Sequence, residues 1–221
     1  MVDAKPARRR RQRPNKRDEI VEKASRIMYT RGTSVGVDTL VEEIGVAKMT
    51  LYRHFPRKEQ LIVACLEGID ERYRRWLERN SAGLAGEERL LGIFDSLRSW
   101  FASDGFRGCA FVNATVELAD PQHPAREAVL AHKRRLREWV AAIADDCDIA
   151  DPPTIAAQLV QLMEGAISTA VVEDDPSAAD LARQMATVII AAAERRGPGN
   201  PADPTSEPGE HVASWLTPPG D

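Results

Sequence analysis

The sequence predicts an all-α fold in two parts, a three-helix N-terminal unit joined to a larger helical domain. Three observations carry that expectation. Apolar residues recur at helical spacing from Ile20 to Ile189. No stretch alternates apolar and polar residues as a half-buried strand does. Glycine, proline and charged clusters interrupt the pattern at intervals of about one helix length. With 43% hydrophobic residues in 221, the chain has enough apolar side chains for a real core.

Residues 1–14 hold Arg8, Arg9, Arg10, Arg11 and Arg13 with almost nothing apolar, which predicts a basic arm that is disordered when free. The first helix shows Ile20, Ala24, Ile27 and Met28 on one face and stops at Arg31-Gly32, with the glycine expected to make the usual left-handed end. A short second helix turns Leu40, Val41 and Ile44 inward and Glu42 and Glu43 to water. Gly45-Val46 then makes a tight turn, and a third short helix carries Met49, Leu51, Tyr52 and Phe55. Pro56, tolerated at a helix start but not in an interior, separates it from a longer fourth helix. The buried stripe of that helix is Leu61, Ile62, Cys65, Leu66, Ile69, Tyr73, Trp76 and Leu77.

These elements define an N-terminal domain over residues 15–75, and the small residues from Asn80 to Gly86 make a linker to a helical domain over residues 80–196. In the second domain Leu90, Phe94, Leu97 and Phe101 form one stripe. A shorter helix runs from about Cys109 to Leu118 and another from about Pro124 to Asp146. Ile155, Leu159, Leu162, Met163, Ala166 and Ile167 form a further stripe. The last helix begins after Asp175-Pro176 and is expected to turn Leu181, Met185, Val188 and Ile189 inward. Residues 197–221, rich in proline, glycine and acids, read as a disordered tail.

The net charge of −4 conceals an asymmetry. Residues 1–79 hold 19 lysines and arginines against 12 acids, and the remainder holds 11 against 22. A basic front half on an acidic chain suits a polyanionic partner held by one end, or else a solvated basic tail. Cys65, Cys109 and Cys147 are odd in number and far apart, which fits a reducing cytoplasm rather than a disulfide framework. No apolar run follows the basic N-terminus, so no signal peptide is expected. The longest uncharged stretch, Pro152 to Met163, is roughly half of the ~20 residues a membrane span needs.

Catalysis is not expected. His54, His123, His132 and His211 have no metal-ligand spacing, and there is no nucleophile elbow or phosphate-cradling glycine loop. The acids Asp145, Asp146, Asp148 and Asp151 lack the glycine and closing glutamate of a calcium loop. Neither a metal nor any other cofactor is called for.

The informative segment is residues 36–55. Two short helices joined by a glycine turn cannot bury enough surface alone and need a third helix behind them, which the segment from Ile20 to Met28 supplies. That is a helix-turn-helix, whose second helix enters the major groove of DNA. Its outward residues are Lys48, Thr50, Tyr52, Arg53 and His54, dense in donors for phosphates and base edges.

The run Gly45-Val46, then Thr50-Leu51-Tyr52-Arg53-His54-Phe55, then Lys58-Glu59 and Leu61, resembles the signature of the tetracycline-repressor (TetR) family of transcription regulators. Upstream, Ile20, Ala24 and Gly32 match its first helix. The resemblance spans about residues 15 to 75. Further on, residues 107–113 (Arg-Gly-Cys-Ala-Phe-Val-Asn) resemble a segment of the family's ligand domains. The resemblance implies a repressor-type regulator that binds a palindromic operator and is released by a small-molecule effector. It implies that Thr39 also lies at the DNA, that Thr50, Tyr52 and Lys58 contact phosphates and that Lys48, Met49 and Arg53 reach bases, while His54 packs partly beneath its helix. Ala47 stands where a capping Ser or Thr is common and Arg57 where a serine often caps the fourth helix. Arg11 and Arg13, in a run that faintly resembles an AT-hook core, offer minor-groove contact or merely a sticky tail; the arm alone would also suit a non-specific, chromosome-organising DNA binder.

The resemblance further implies a homodimer through the last two helices, which are rich in Ala156, Ala166, Ala182 and Ala186, although such faces equally suit an intrachain core. The candidate effector wall is Phe94, Leu97, Phe101, Phe111, Asn113, Glu117, Trp139 and Met163, an apolar and aromatic set suited to a hydrophobic or amphipathic molecule.

Overall fold

A computed structural model describes residues 15–196. The arm with Arg11 and Arg13 and the tail over residues 197–221, both expected to be disordered, lie outside the described residues. Among the described residues there are nine helices and no strand, as the periodicity predicts. One isolated antiparallel bridge pairs Ile149 with Arg195.

The first helix, α1 (Lys16–Arg31), is capped by Asn15, whose side chain accepts from the Arg17 N–H at 3.3 Å. It buries Ile20, Val21, Ala24, Ser25 and Met28. Gly32 ends it at φ +87° and ψ 164°, a positive φ outside the left-handed helical basin expected for it. The short α2 (Val37–Ile44) buries Leu40 and Ile44, and Gly45 follows it in the left-handed region at φ 75° and ψ 47°. The Gly45 and Val46 N–H groups both donate to Val41 O, so the turn closes on the helix end as a glycine cap does. Lys23 Nζ from α1 donates to Ile44 O at 2.9 Å and satisfies another carbonyl at the same end. The third helix, α3 (Lys48–His54), begins without any side-chain cap at Ala47.

Pro56 lies in the connection before Arg57, the N-cap of α4 (Lys58–Asn80), rather than at the helix start. Gln60 Oε1 accepts from the Arg57 N–H at 3.4 Å, the reciprocal half of a capping box, while the bond that a serine side chain at the N-cap would accept is not made. Then follow α5 (Glu87–Phe101), α6 (Ala110–Leu118), α7 (Ala125–Asp145), α8 (Pro152–Glu173) and α9 (Ala178–Ala192).

The long α4 packs on α1 near one end and on α7 along its length, while α8 lies between α7 and α9 and α5 lies across α8 and α9. Buried side chains from Ile20 through Ile190 form one continuous apolar cluster. The helix-turn-helix therefore shares its core with the rest of the protein through α4.

One expectation is corrected here. Leu181, Met185 and Val188 face outward on α9, with Leu181 61% and Val188 69% exposed, and Ile189 is only half-buried. The inward residues are Ala179, Ala182, Ala186 and Ile190. Small side chains let α9 approach α5 and α8 closely, and that contact turns the larger residues away. The α8 stripe of Ile155, Leu159, Met163, Ala166 and Ile167 is buried within the protomer as intrachain core. α8 has the length and low charge to cross a bilayer, but this buried face packs against the rest of the chain.

Candidate nucleic-acid interface and internal cavity

The turn after α2 aims α3 outward, and two buried side chains fix it. Leu51 and Phe55 go into the core, and the Arg17 guanidinium lies over the Phe55 ring at 4.9 Å. The opposite face presents Lys48, Met49, Tyr52 and Arg53 to solvent, with Met49 80% exposed. Thr39, Thr50 and Lys58 are half-buried around this face. His54 is also half-buried and its Nε2 atom is buried without a hydrogen-bond partner. Lys48 is not free: its Nζ pairs with Asp38 Oδ1 of α2 at 2.6 Å, and that bond raises the lysine pKa. Burial lowers the pKa of Lys58.

A cavity of about 320 Å³ opens where α1, α4, α5, α6, α7 and α8 converge. Its wall includes Tyr29 of α1, Ile69, Tyr73 and Trp76 of α4, Trp100 of α5, Phe111 of α6, His132 and Leu136 of α7 and Ile167 of α8. Of the eight residues expected to form an effector wall, only Phe111 lines this cavity. Phe94, Leu97 and Met163 are fully buried core, Phe101 is buried among them, and Trp139 packs half-buried against the same core. Asn113 and Glu117 line a small crevice between α1, α4 and α6. The helical period identifies which residues face inward, but not which inward contacts close completely and which leave space.

A charged network behind the cavity joins α4 to α7. Asp70 Oδ1 lies 2.8 Å from His132 Nδ1, and Asp70 Oδ2 lies 2.6 Å from Arg135 Nη1 and 3.2 Å from Arg74 Nε. Burial favours the neutral carboxyl, yet the His132 hydrogen bond and the Arg135 and Arg74 charges outweigh it and hold Asp70 below its ordinary pKa. Burial pushes the His132 imidazole below its ordinary value, against the opposing pull of Asp70. The Phe111 ring stacks on His132 with centroids 3.6 Å apart. Sequence reasoning passed over Asp70 and His132, although a signal existed. Asp70 falls on the apolar register of α4 between Leu66 and Tyr73, and His132 falls four residues before Leu136 on α7. A charge on a buried stripe calls for partners.

Two polar links tie α1 to α6. Tyr29 Oη donates to Gly108 O at 3.0 Å and accepts from the Arg107 N–H at 2.8 Å. Glu117 Oε2 accepts from both the Thr33 N–H and, at 2.8 Å, Thr33 Oγ1. A Cβ on Gly32 would stand 3.1 Å from the Glu117 carboxylate oxygens, so the glycine's bareness as well as its positive φ suits this approach. Asn113 Nδ2 donates to Arg107 O at 2.9 Å and holds the start of α6. Among the described residues no cluster of three His, Cys, Asp or Glu side chains is arranged to hold a metal ion.

Comparison with known proteins matches residues 20–65 to the family model for bacterial regulatory proteins of the tetR family and residues 86–186 to that for a tetracyclin repressor-like C-terminal domain. The fold is similar to the crystal structure of a TetR-family transcriptional regulator from Streptomyces coelicolor, with a TM-score of 0.72 and 31% identity over 79% of this chain and 94% of that one. The chain is 22% identical to the Escherichia coli HTH-type transcriptional regulator YjdC, over 83% of this chain and 97% of that protein. It is 28% identical to the nucleoid occlusion factor SlmA of Aliivibrio fischeri, over 69% of this chain and 82% of that protein.

Proposed function

The chain belongs to the TetR family of bacterial DNA-binding transcription regulators, and we propose that it represses transcription as a homodimer on a palindromic operator and releases it when a small molecule fills the internal cavity. The observation that carries this reading is α3, seated by Leu51 and Phe55 and presenting Lys48, Met49, Tyr52 and Arg53 outward. Tyr52, Thr50, Lys58 and Thr39 border that face, where phosphate contacts would hold α3 in register, and Arg53 and Lys48 have the donors to read guanine. Arg11 and Arg13 would extend the contact along the duplex.

The dimer reading is supported by the outer faces of the last two helices. On α8 these include Ala157, Gln158, Gln161, Gly165, Ser168, Thr169 and Val172, and on α9 Leu181, Gln184, Met185 and Val188, with the exposed charge of α8 confined to its last residue, Glu173. Small residues on one helix and larger apolar ones on the other suit a four-helix seam between two copies. The release step is supported by the composition of the cavity wall, which joins α1 of the DNA-binding unit to α4 through α8. An occupant that moves these helices alters the spacing of the two recognition helices, which adjacent half-sites fix at about 34–36 Å. A cytoplasmic location follows from this role.

A second reading, the non-specific, chromosome-organising DNA binder that the basic arm alone would suit, draws slight support from the 28% identity to a nucleoid occlusion factor. Footprinting across genomic DNA separates the two. A discrete two-fold protected site is expected, and uniform protection would replace the operator reading with the second. On that site Arg53→Ala should relax preference at one position per half-site, by about 1–3 kcal/mol.

A further inference from the structure

The polar atoms around the cavity specify the chemistry of its occupant. Most are already in use: Ser25 Oγ donates to Val21 O at 2.6 Å, Tyr29 Oη is engaged as donor and acceptor, and Glu164 is held by Lys133. His132 differs. Its side chain is only 5% exposed, it lines the cavity, and its hydrogen bond to Asp70 employs Nδ1. Asp70, ionised between Arg74 and Arg135, can only accept, so Nδ1 carries the hydrogen. Burial disfavours a second proton on the ring, which leaves Nε2 a bare acceptor with no partner among the described residues.

The surroundings of that acceptor are flat and aromatic. Phe111 stacks on the His132 ring within 5° of parallel, Tyr73 meets it edge-on at 5.7 Å, and Trp76 and Trp100 continue the wall. The Tyr73 hydroxyl makes no hydrogen bond among the described residues, and burial raises its pKa, so it remains a neutral hydroxyl on a residue of the same cavity wall. Arg26 and Arg72 also line the cavity, while Lys133 offsets the Glu164 carboxylate. That balance disfavours a cationic guest, despite the aromatic wall. A volume of about 320 Å³ accommodates a molecule of two or three fused rings.

We propose that the cavity binds a planar aromatic molecule bearing a hydroxyl group, which donates its hydrogen bond to His132 Nε2. The role of such a molecule as effector rests on the release reading above, but its binding does not.

Calorimetric titration of the full chain with β-naphthol and with its methyl ether tests this, since the two have the same ring system and only the first can donate. β-Naphthol is expected to bind one per chain and at least about tenfold more tightly than the ether, the worth of roughly one buried hydrogen bond. His132→Phe, which keeps an aromatic ring against Phe111, should bring the two affinities within about twofold. Equal affinities in the unmodified protein would overturn the proposal. A second measurement does not depend on the variant folding. In isotope-labelled protein the His132 Nε2 nitrogen resonance should move on addition of β-naphthol and stay in place with the ether, and an unmoved resonance under saturating β-naphthol also overturns it. If β-naphthol binds through His132 but leaves operator affinity unchanged, the site chemistry stands and the effector role falls. If β-naphthol fails while an apolar compound without a hydroxyl releases operator, the proposal falls and the effector role stands.

Discussion

Asp70→Ala removes a carboxylate on which three side chains from two helices converge, and the structure sets the size of the effect. Asp70 and His132 are each only 5% exposed at the side chain, whereas Arg74 and Arg135 are 41% exposed. The arginines can turn to water when the carboxylate goes, so losing their contacts costs little, about 0–1 kcal/mol each. The His132 Nδ1–H cannot, and a buried donor without an acceptor costs about 1–3 kcal/mol. The sum is a loss of about 1–5 kcal/mol, or roughly 2–20 °C in melting temperature for a chain of this length. Asp70→Asn keeps an oxygen that can accept from His132 and should lose no more than about half of that. Urea denaturation of the three proteins at neutral pH measures the series, and Ala and wild-type midpoints that coincide would refute the assignment of Asp70 as the tie between α4 and α7.

The pH dependence has a definite sign. His132 lies below its ordinary value of 6.5, so below that pH the unfolded chain takes up a proton that the folded ring resists, and stability declines as pH falls from about 6.5. Asp70 lies below its ordinary value of 3.8, so its contribution is present above that pH and is lost as pH falls through the folded-state value. His132→Phe should abolish the first decline and also shrink the second, because the His132 hydrogen bond leads the contacts that hold Asp70 low. A wild-type stability that is flat between about pH 7 and pH 5 contradicts the assignment.

Three further outcomes are expected. Met185→Arg places a charge in the uncharged outer face of α9 and should convert a dimer of about twice 24.4 kDa into monomer or aggregate in light scattering; an unperturbed dimer would relocate the seam. Asp38→Asn frees Lys48 from its 2.6 Å ion pair and should tighten operator binding several-fold, whereas weaker binding would mean that Asp38 aims Lys48 at its base. Deleting residues 1–13 removes six basic side chains, and if about three per subunit meet phosphates the slope of log affinity against log salt should fall by about five for a dimer, with melting unchanged. An unchanged slope would make the arm a bystander.

What could be read from the sequence followed from local rules. The turn at Gly45 needs a left-handed residue, and α3 must bury Leu51 and Phe55, so the outward face of Met49, Tyr52 and Arg53 follows from spacing alone. The last helix shows where such rules stop. Leu181, Met185 and Val188 form a clean stripe, but so do Ala179, Ala182 and Ala186, and periodicity cannot say which stripe the fold turns inward. Close approach to α5 and α8 selects the alanines, a decision made by neighbours distant in sequence. The cavity was hidden for a related reason: it is bounded by six helices, and where packing falls short of closure depends on all of them.

The geometry of α6 shows how the sensing and DNA-binding reading could work through few contacts. It has nine residues, too few to be stable apart from its neighbours. Its leading end is tied to α1 through Tyr29 at Arg107 and Gly108, and its trailing end through Glu117 at Thr33, just past the end of α1. Between those ties Cys109, Ala110 and Phe111 form part of the cavity wall. A guest pressing on Phe111 therefore acts on a short element anchored at both ends to the helix that supports the recognition unit. Such a guest can shift the operator-binding equilibrium only by the difference in its affinity for the two arrangements of α6. Under the proposed release, operator and guest weaken each other by the same factor. Severing one tie with Glu117→Ala, which removes the acceptor for both Thr33 hydrogen bonds, should shrink that factor while leaving the cavity's own contacts with the guest in place.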